Sequence, residues 1–277
     1  MKQELNILVQ AIRKALEDQV SDLAAAIAFW AFFSIFPLLL GLMALAGFSL
    51  DVAEVQSRIY QLMTDLLPGS GDFIQQNLES VVRYRSSMGA IGILALLWTA
   101  SKGLAAVTRA VNRALGATKT RSYVASKIRF FGMTIAVAVL AILSISLTVA
   151  LEVLLKSTLL TRLGLDGIRI PRVQGWITSF VFVFIMVIVI YKITPYVETR
   201  WRQILPGALL ATVAFEMSKA GFLIYLDWMT RWEAIYGSLT SILVLLLWLY
   251  IAALILICGV EYNFVRWRLR SEHGSAT

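Results

Sequence analysis

The sequence predicts an all-α polytopic membrane protein: a bundle of six transmembrane helices with short amphipathic helices at its interfaces. Three observations carry this. Residues 23–50, 86–101, 130–151, 173–191, 203–226 and 234–260 are almost free of charge, with Glu216 and Lys219 the exceptions. Crossing a hydrocarbon core of ~30 Å takes about 20 apolar residues at ~1.5 Å each, the length these runs reach or approach. Hydrophobic residues make up 59% of the 277 positions and charged residues 15%, well below the ~25% charge of a soluble domain. In lipid only helices and closed barrels satisfy their own backbone, and uninterrupted runs of this length are not barrel strands.

The expected spans are about 23–48, 87–103, 130–152, 174–193, 204–226 and 236–261, forming one integral membrane domain over 1–277. Residues 1–20 carry Glu4, Arg13, Lys14, Glu17 and Asp18, so they do not read as a cleavable signal peptide. The first span is expected to act as its own insertion signal. Pro37 removes one backbone hydrogen bond there and predicts a kink near Phe33–Ser34. The lone cysteine, Cys258, falls inside the last span, which rules out an intrachain disulfide.

After the first span, Val52, Val55, Ile59, Leu62 and Leu66 recur at helical spacing. Pro68-Gly69-Ser70-Gly71 interrupts them, and Ile74, Leu78 and Val81 resume the pattern. This predicts an outer amphipathic hairpin over 51–86, either a cap on the span ends or a gating lid. The second span carries small residues at Gly92, Ala95, Thr99, Gly103, Ala106 and Ala110. That stripe crosses the expected membrane boundary without a break, so the span and an inner basic helix over 102–116 read as one helix. Leu104, Val107, Val111 and Leu115 form its apolar stripe beside Arg109 and Arg113, and Gly116 is the expected stop. Lys102, Arg109, Arg113 and Asn112 are the candidate surface for anionic lipid or a partner protein.

Charge placement orients the chain. Segment 102–129 holds seven Lys and Arg and no acid, and the N-terminal segment, 192–202 and the C-terminal tail hold three each. The opposite segments 51–86, 152–172 and 227–233 hold three, four and one. By the positive-inside rule both termini are expected in the cytoplasm. Trp176, Trp201, Trp228, Trp232 and Trp267 fall at expected span ends, as interfacial aromatics do.

The fifth span is the most informative. Gly207, Ala211, Ala214, Ser218 and Gly221 form a stripe of small residues suited to close helix packing. Thr212, Glu216 and Lys219 fall on another side, roughly 100–150° away. With two faces claimed, this helix is expected inside the bundle. Glu216 lies about 18 Å into the core, and Lys219, three residues on, is near enough to pair with it. Ionisable residues at this depth mark pathways by default. The readings are a polar substrate cavity or an internal ion pair. Glu261 and Asn263, at the inner end of the last span, either bind a partner or solvate the helix end.

Catalytic chemistry is not expected. The single histidine, His273, lies in a polar tail, and a zinc hydrolase draws on several His, Cys, Asp or Glu ligands. There is no P-loop, dinucleotide fingerprint or nucleophile elbow. No metal, cofactor or nucleic-acid partner is expected. Membrane lipids are the expected partners, with homo-oligomerisation through the small stripes open.

Four segments resemble the YihY/BrkB family of bacterial inner-membrane proteins. They are LAAAIAFWAFFSIFPLLLGLMALAG (23–47), LWTASKGLAAVTRAVNRALG (97–116), RWRQILPGALLATVAFEMSKAGFLIYL (200–226) and YGSLTSILVLLLWLYIAALILICGVEYN (236–263). Thr240 and Phe215 depart from the pattern, which favours Gly or Ala and Trp there. The resemblance implies six spans with both termini cytoplasmic. It maps the family's recurrent polar positions to Ser101, Lys102, Asn112, Glu216, Lys219, Tyr236, Ser238, Glu261 and Asn263. It also brings an old ribonuclease BN label, which the missing metal ligands argue against, and a role in virulence or in moving lipids or lipid-linked saccharides. The expected function is therefore a non-enzymatic transporter or flippase of an amphipathic or anionic substrate. The alternative is a membrane scaffold.

Overall fold

The computed structural model describes residues 2–46, 101–117, 170–229 and 239–274, with isolated positions between 57 and 99. Among the described residues the chain is all helical: α1 (Lys2–Glu17), α2 (Val20–Ala46), α3 (101–114), α4 (Ile170–Ile193), α5 (Trp201–Met229) and α6 (Leu239–Gly274). The expected third span, most of the second, the outer hairpin as a whole, Tyr236 and Ser238 lie outside the described residues.

Among the described residues two helices are long and apolar enough to cross a membrane, α5 over Trp201–Leu226 and α6 over Thr240–Arg270. Shorter apolar stretches fall in α2 (Val20–Ile35) and α4 (Ser179–Ile193). With 36 residues, α6 is ~54 Å long and exceeds a ~30 Å core. It therefore runs past the expected end of the last span at 261. Charge ends a membrane span, but Arg266, Arg268 and Arg270 are good helix formers and do not end the helix.

Two helix boundaries follow from local chemistry. Gly116 stops α3 as expected, with φ +61°. Gly116 N–H donates to the carbonyl of Arg113 and Ala117 N–H to that of Asn112, both at 2.9 Å, the Schellman arrangement that glycine favours. Gln19 makes the corner between α1 and α2 with φ 54°. Its carbonyl accepts from Asp22 N at 3.1 Å and so opens α2. The backbone of α2 stays helical through Pro37.

The sequence reading did not anticipate α1 as a packed element. It is amphipathic, with Ile7 and Ala11 buried against Tyr262 and Val265 of α6. The central helix is α6, which packs on α1, α2 and α5, while α4 packs on α5. The fifth span was expected inside the bundle. Among the described residues Leu209, Val213, Met217 and Ile224 of α5 are instead exposed. Glu216 and Thr212 on its polar face and Gly207 and Ala211 on its small face are buried, and this third, wholly apolar face is the one lipid can solvate.

Small side chains bring the helices together. Ala24, Ala106, Ala110, Ala208, Ala211 and Ala253 are buried in one core cluster. The described part of the α3 stripe faces inward, with Gly103 against Trp30 of α2. The tightest approach is between α5 and α6. A Cβ on Gly207 would lie 2.2 Å from Gly259 O, and one on Gly259 would lie 2.9 Å from Ala211 Cβ. Such contacts need glycine, as in close helix crossings generally.

Candidate functional site

Glu216 and Lys219 are brought together as their spacing predicts. Lys219 Nζ lies 2.7 Å from Glu216 Oε2, and the two side chains are 14% and 5% exposed respectively. Ser179 of α4 closes a triad that was not foreseen. It accepts from Lys219 at 2.7 Å and donates to Glu216 Oε1 at 3.1 Å. A serine in an apolar run carries no distinctive sequence signal, and only the packing of α4 on α5 selects it. Phe215 adds a ring 5.6 Å from the ammonium. Thr212 is fully buried, and its hydroxyl donates to the carbonyl of Ala208 at 2.8 Å, a bond within its own helix. It does not join the triad.

A second polar assembly gathers at the end of the bundle that holds both α1 and the C-terminal part of α6. Glu261, expected to bind a partner or solvate a helix end, is wholly buried. Its Oε2 lies 2.8 Å from Lys14 Nζ. The same ammonium donates to the carbonyl of Ala114 at 2.9 Å and to Asp18. Arg113 lies 3.9 Å from Asp18 and donates to Gln19 Oε1 at 3.3 Å. Glu4 accepts from Tyr262 at 2.7 Å and lies 3.5 Å from Arg266. Acids and bases of α1 thus tie the α1–α2 corner to α3 and α6. The reading of residues 1–20 used these charges to exclude a signal peptide and did not look for their partners.

Two asparagines lock the same end. Asn112 was grouped with the surface cations, but it is buried. Its amide nitrogen donates to the carbonyls of Thr108 at 2.8 Å and Thr194 at 3.2 Å. Its oxygen accepts from Tyr196 N at 2.7 Å. Residue 112 lies only about 60° round the helix from Arg109, but the exposed strip of Lys102, Arg109 and Arg113 is narrow and Asn112 falls just inside its edge. Asn263 accepts from Gly207 N at 2.7 Å and donates to Ile204 O at 3.1 Å. Both contacts flank Pro206, which lies inside α5 and lacks an N–H to continue the helical ladder. The Asn263 side chain thus serves backbone groups beside that break instead of a partner protein.

Beside these asparagines is a cavity of about 210 Å³, walled by α3, the 195–199 connection and the facing ends of α4, α5 and α6. Glu216, Lys219 and Thr212 do not line it.

Long apolar helices joined by small-residue contacts, with ion pairs held inside, define a helical membrane protein. The chain belongs to the virulence factor BrkB family, whose model matches residues 11–276. Among its curated relatives is a UPF0761 membrane protein of Pseudoalteromonas translucida (strain TAC 125). It is 24% identical over 268 residues, covering 94% of this chain and 86% of the relative. A UPF0761 membrane protein of Cronobacter sakazakii (strain ATCC BAA-894) is 29% identical over 250 residues, covering 88% and 83%. YfkH of Bacillus subtilis (strain 168), provisionally named ribonuclease-like, is 25% identical over 250 residues, covering 87% of each chain. No solved structure matches.

Proposed function

We propose that the protein is a non-enzymatic transporter or flippase of the bacterial inner membrane, with both termini in the cytoplasm, moving an amphipathic or anionic substrate such as a lipid. The observation that carries this reading is the buried Glu216–Lys219–Ser179 triad in apolar helices. An ion pair at this depth is often no more stabilising than apolar residues of the same volume. Stability alone therefore does not account for its presence in apolar helices. An anionic headgroup competing with Glu216 for Lys219 would give the pair a use. The test is lipid translocation in proteoliposomes, wild type against Glu216→Gln at matched reconstitution, with labelled phospholipid and polyprenyl-linked saccharide assayed separately. Movement lost in the variant supports the reading, and equal movement in both overturns it. Purified protein is expected to leave RNA intact, whatever the ribonuclease-like name of one relative suggests.

A second reading is a scaffold that recruits anionic lipid or a cytoplasmic partner, favoured by the exposure of Lys102 and Arg109. It requires that Arg109→Ala abolishes the phenotype while Glu216→Gln does not.

A further inference from the structure

The cavity at the terminal end has an unusual combination of walls. Val111 of α3 and Leu115 just past its end, Val260 and Phe264 of α6, and Ile204 of α5 give it a mainly apolar interior. Its polar groups are nearly all committed. Tyr191 OH donates to Leu256 O at 2.6 Å, Gln203 Oε1 accepts from Arg200 N at 2.8 Å, and Asn263 is held by Gly207 and Ile204. A buried one is not committed: Thr199 Oγ1 has no hydrogen-bond partner among the described residues. A buried hydroxyl left unpaired is unfavourable and marks a place where a ligand polar group fits. Among the described residues no Lys, Arg or His lines the cavity, and the charged lining residue is Glu198, exposed on the connection.

We infer that this cavity binds an aminophospholipid drawn from the adjacent leaflet. The apolar walls take the start of an acyl chain, Thr199 Oγ1 meets an ester or phosphate oxygen as donor, and Glu198 meets the ammonium. Exposed Arg200 and Arg202 flank the same connection and leave the phosphate a counter-charge. Lys192, whose Nζ donates to the carbonyl of Thr199, serves the phosphate of any phospholipid as the arginines do, and the pair with Glu198 is what an anionic lipid without an ammonium lacks. At about 210 Å³ the space lies below the ~300–1,000 Å³ of a pocket that encloses a whole ligand. It therefore holds part of a lipid whose remainder stays in the bilayer. The inference is independent of transport, since no member of the Glu216 triad lines the cavity.

The test uses the full chain in nanodiscs of phosphatidylglycerol doped with a diazirine-labelled phosphatidylethanolamine. Cross-links are mapped by peptide mass spectrometry. The expected result is labelling concentrated in 111–115, 191–204 and 260–267 over the lipid-facing side of α5 at 209–224. Excess unlabelled phosphatidylethanolamine should compete it away, and an equal excess of phosphatidic acid, which has no ammonium, should not. Glu198→Lys should reduce labelling roughly fivefold, the scale of one exposed charge pair. Val260→Trp, which fills the cavity, should do at least the same. Should Val260→Trp fail to fold, Val197→Trp at the exposed mouth replaces it. Labelling spread evenly over lipid-facing residues, or competed equally by both lipids, overturns the inference. So does labelling unchanged in Glu198→Lys and in the tryptophan variant.

Discussion

Lys14 and Glu261 stand 247 positions apart in the chain and 2.8 Å apart in space. The pair is unsymmetrical. Lys14 has two other acceptors, Asp18 and the carbonyl of Ala114, whereas Glu261 Oε1 has no partner among the described residues. Removing Lys14 leaves a buried carboxylate alone, and removing Glu261 leaves an ammonium that still has acceptors. Lys14→Met is therefore expected to destabilise by about 3–5 kcal/mol, the scale for breaking a buried pair, and Glu261→Gln by clearly less. The double variant should be more stable than Lys14→Met alone. Thermal unfolding of the detergent-solubilised protein measures all three, and strictly additive losses would sink the account.

How far this was legible in the sequence depends on the kind of information each residue carries. The apolar run at 203–226 locates α5 because a span must be long and uncharged. Gly116 announces the end of α3 because only a left-handed residue closes that cap. Spacing also pairs Glu216 with Lys219, since both sit on one helix. Partners on other helices are a different matter. Ser179, and Lys14 as the counter-ion of Glu261, are fixed by helix packing, and periodicity within one helix reports a face without saying what meets it. Asn112 shows the converse error. A polar residue among cations was read as surface, but Ala106, Thr108, Ala110, Val111 and Ala114 are also buried, so α3 is covered on all sides except the narrow strip of cations, which periodicity within one helix could not show.

Asn112 bridges three backbone groups with donors and an acceptor in fixed places. Asn112→Asp keeps an acceptor for Tyr196 N but turns the opposite oxygen toward the carbonyls of Thr108 and Thr194. Asn112→Ala only leaves groups unpaired. Both variants should destabilise, Asn112→Ala by roughly 1–3 kcal/mol, and the aspartate should be the worse at neutral pH. Its deficit should shrink as pH falls and the carboxyl gains a donor proton. An aspartate variant as stable as wild type would show that Asn112 is not oriented as described.

Glycines in α5 and α6 should separate into two classes. Gly207→Ala and Gly259→Ala place a methyl 2.2 Å and 2.3 Å from Gly259 O and Tyr191 Oη, well inside contact distance. Each should destabilise by about 3 kcal/mol or more, in the range of severe overpacking. Gly221 belongs to the same stripe of small residues, but a Cβ there meets nothing within 4 Å. Gly221→Ala should be neutral or stabilise by ~0.5–1 kcal/mol through helix propensity. Melting temperatures of the three variants decide whether the stripe packs along its whole length or only at the Gly207 end.

The Glu216–Lys219–Ser179 triad allows structure and function to be separated. Glu216→Gln or Lys219→Met alone leaves one buried charge without its counter-ion and should destabilise by roughly 3 kcal/mol. Combining Glu216→Leu with Lys219→Met removes both charges and substitutes apolar groups of similar size. That double variant should recover most of the stability, because replacing a buried pair by hydrophobic residues is often neutral or better. If the triad only joins α4 to α5, the recovered protein should also recover translocation or whatever phenotype the wild type supports. If the charges meet the substrate, it should be stable and inactive. A stable double variant with full activity would leave the triad a structural ion pair and remove Glu216 and Lys219 from any transport pathway.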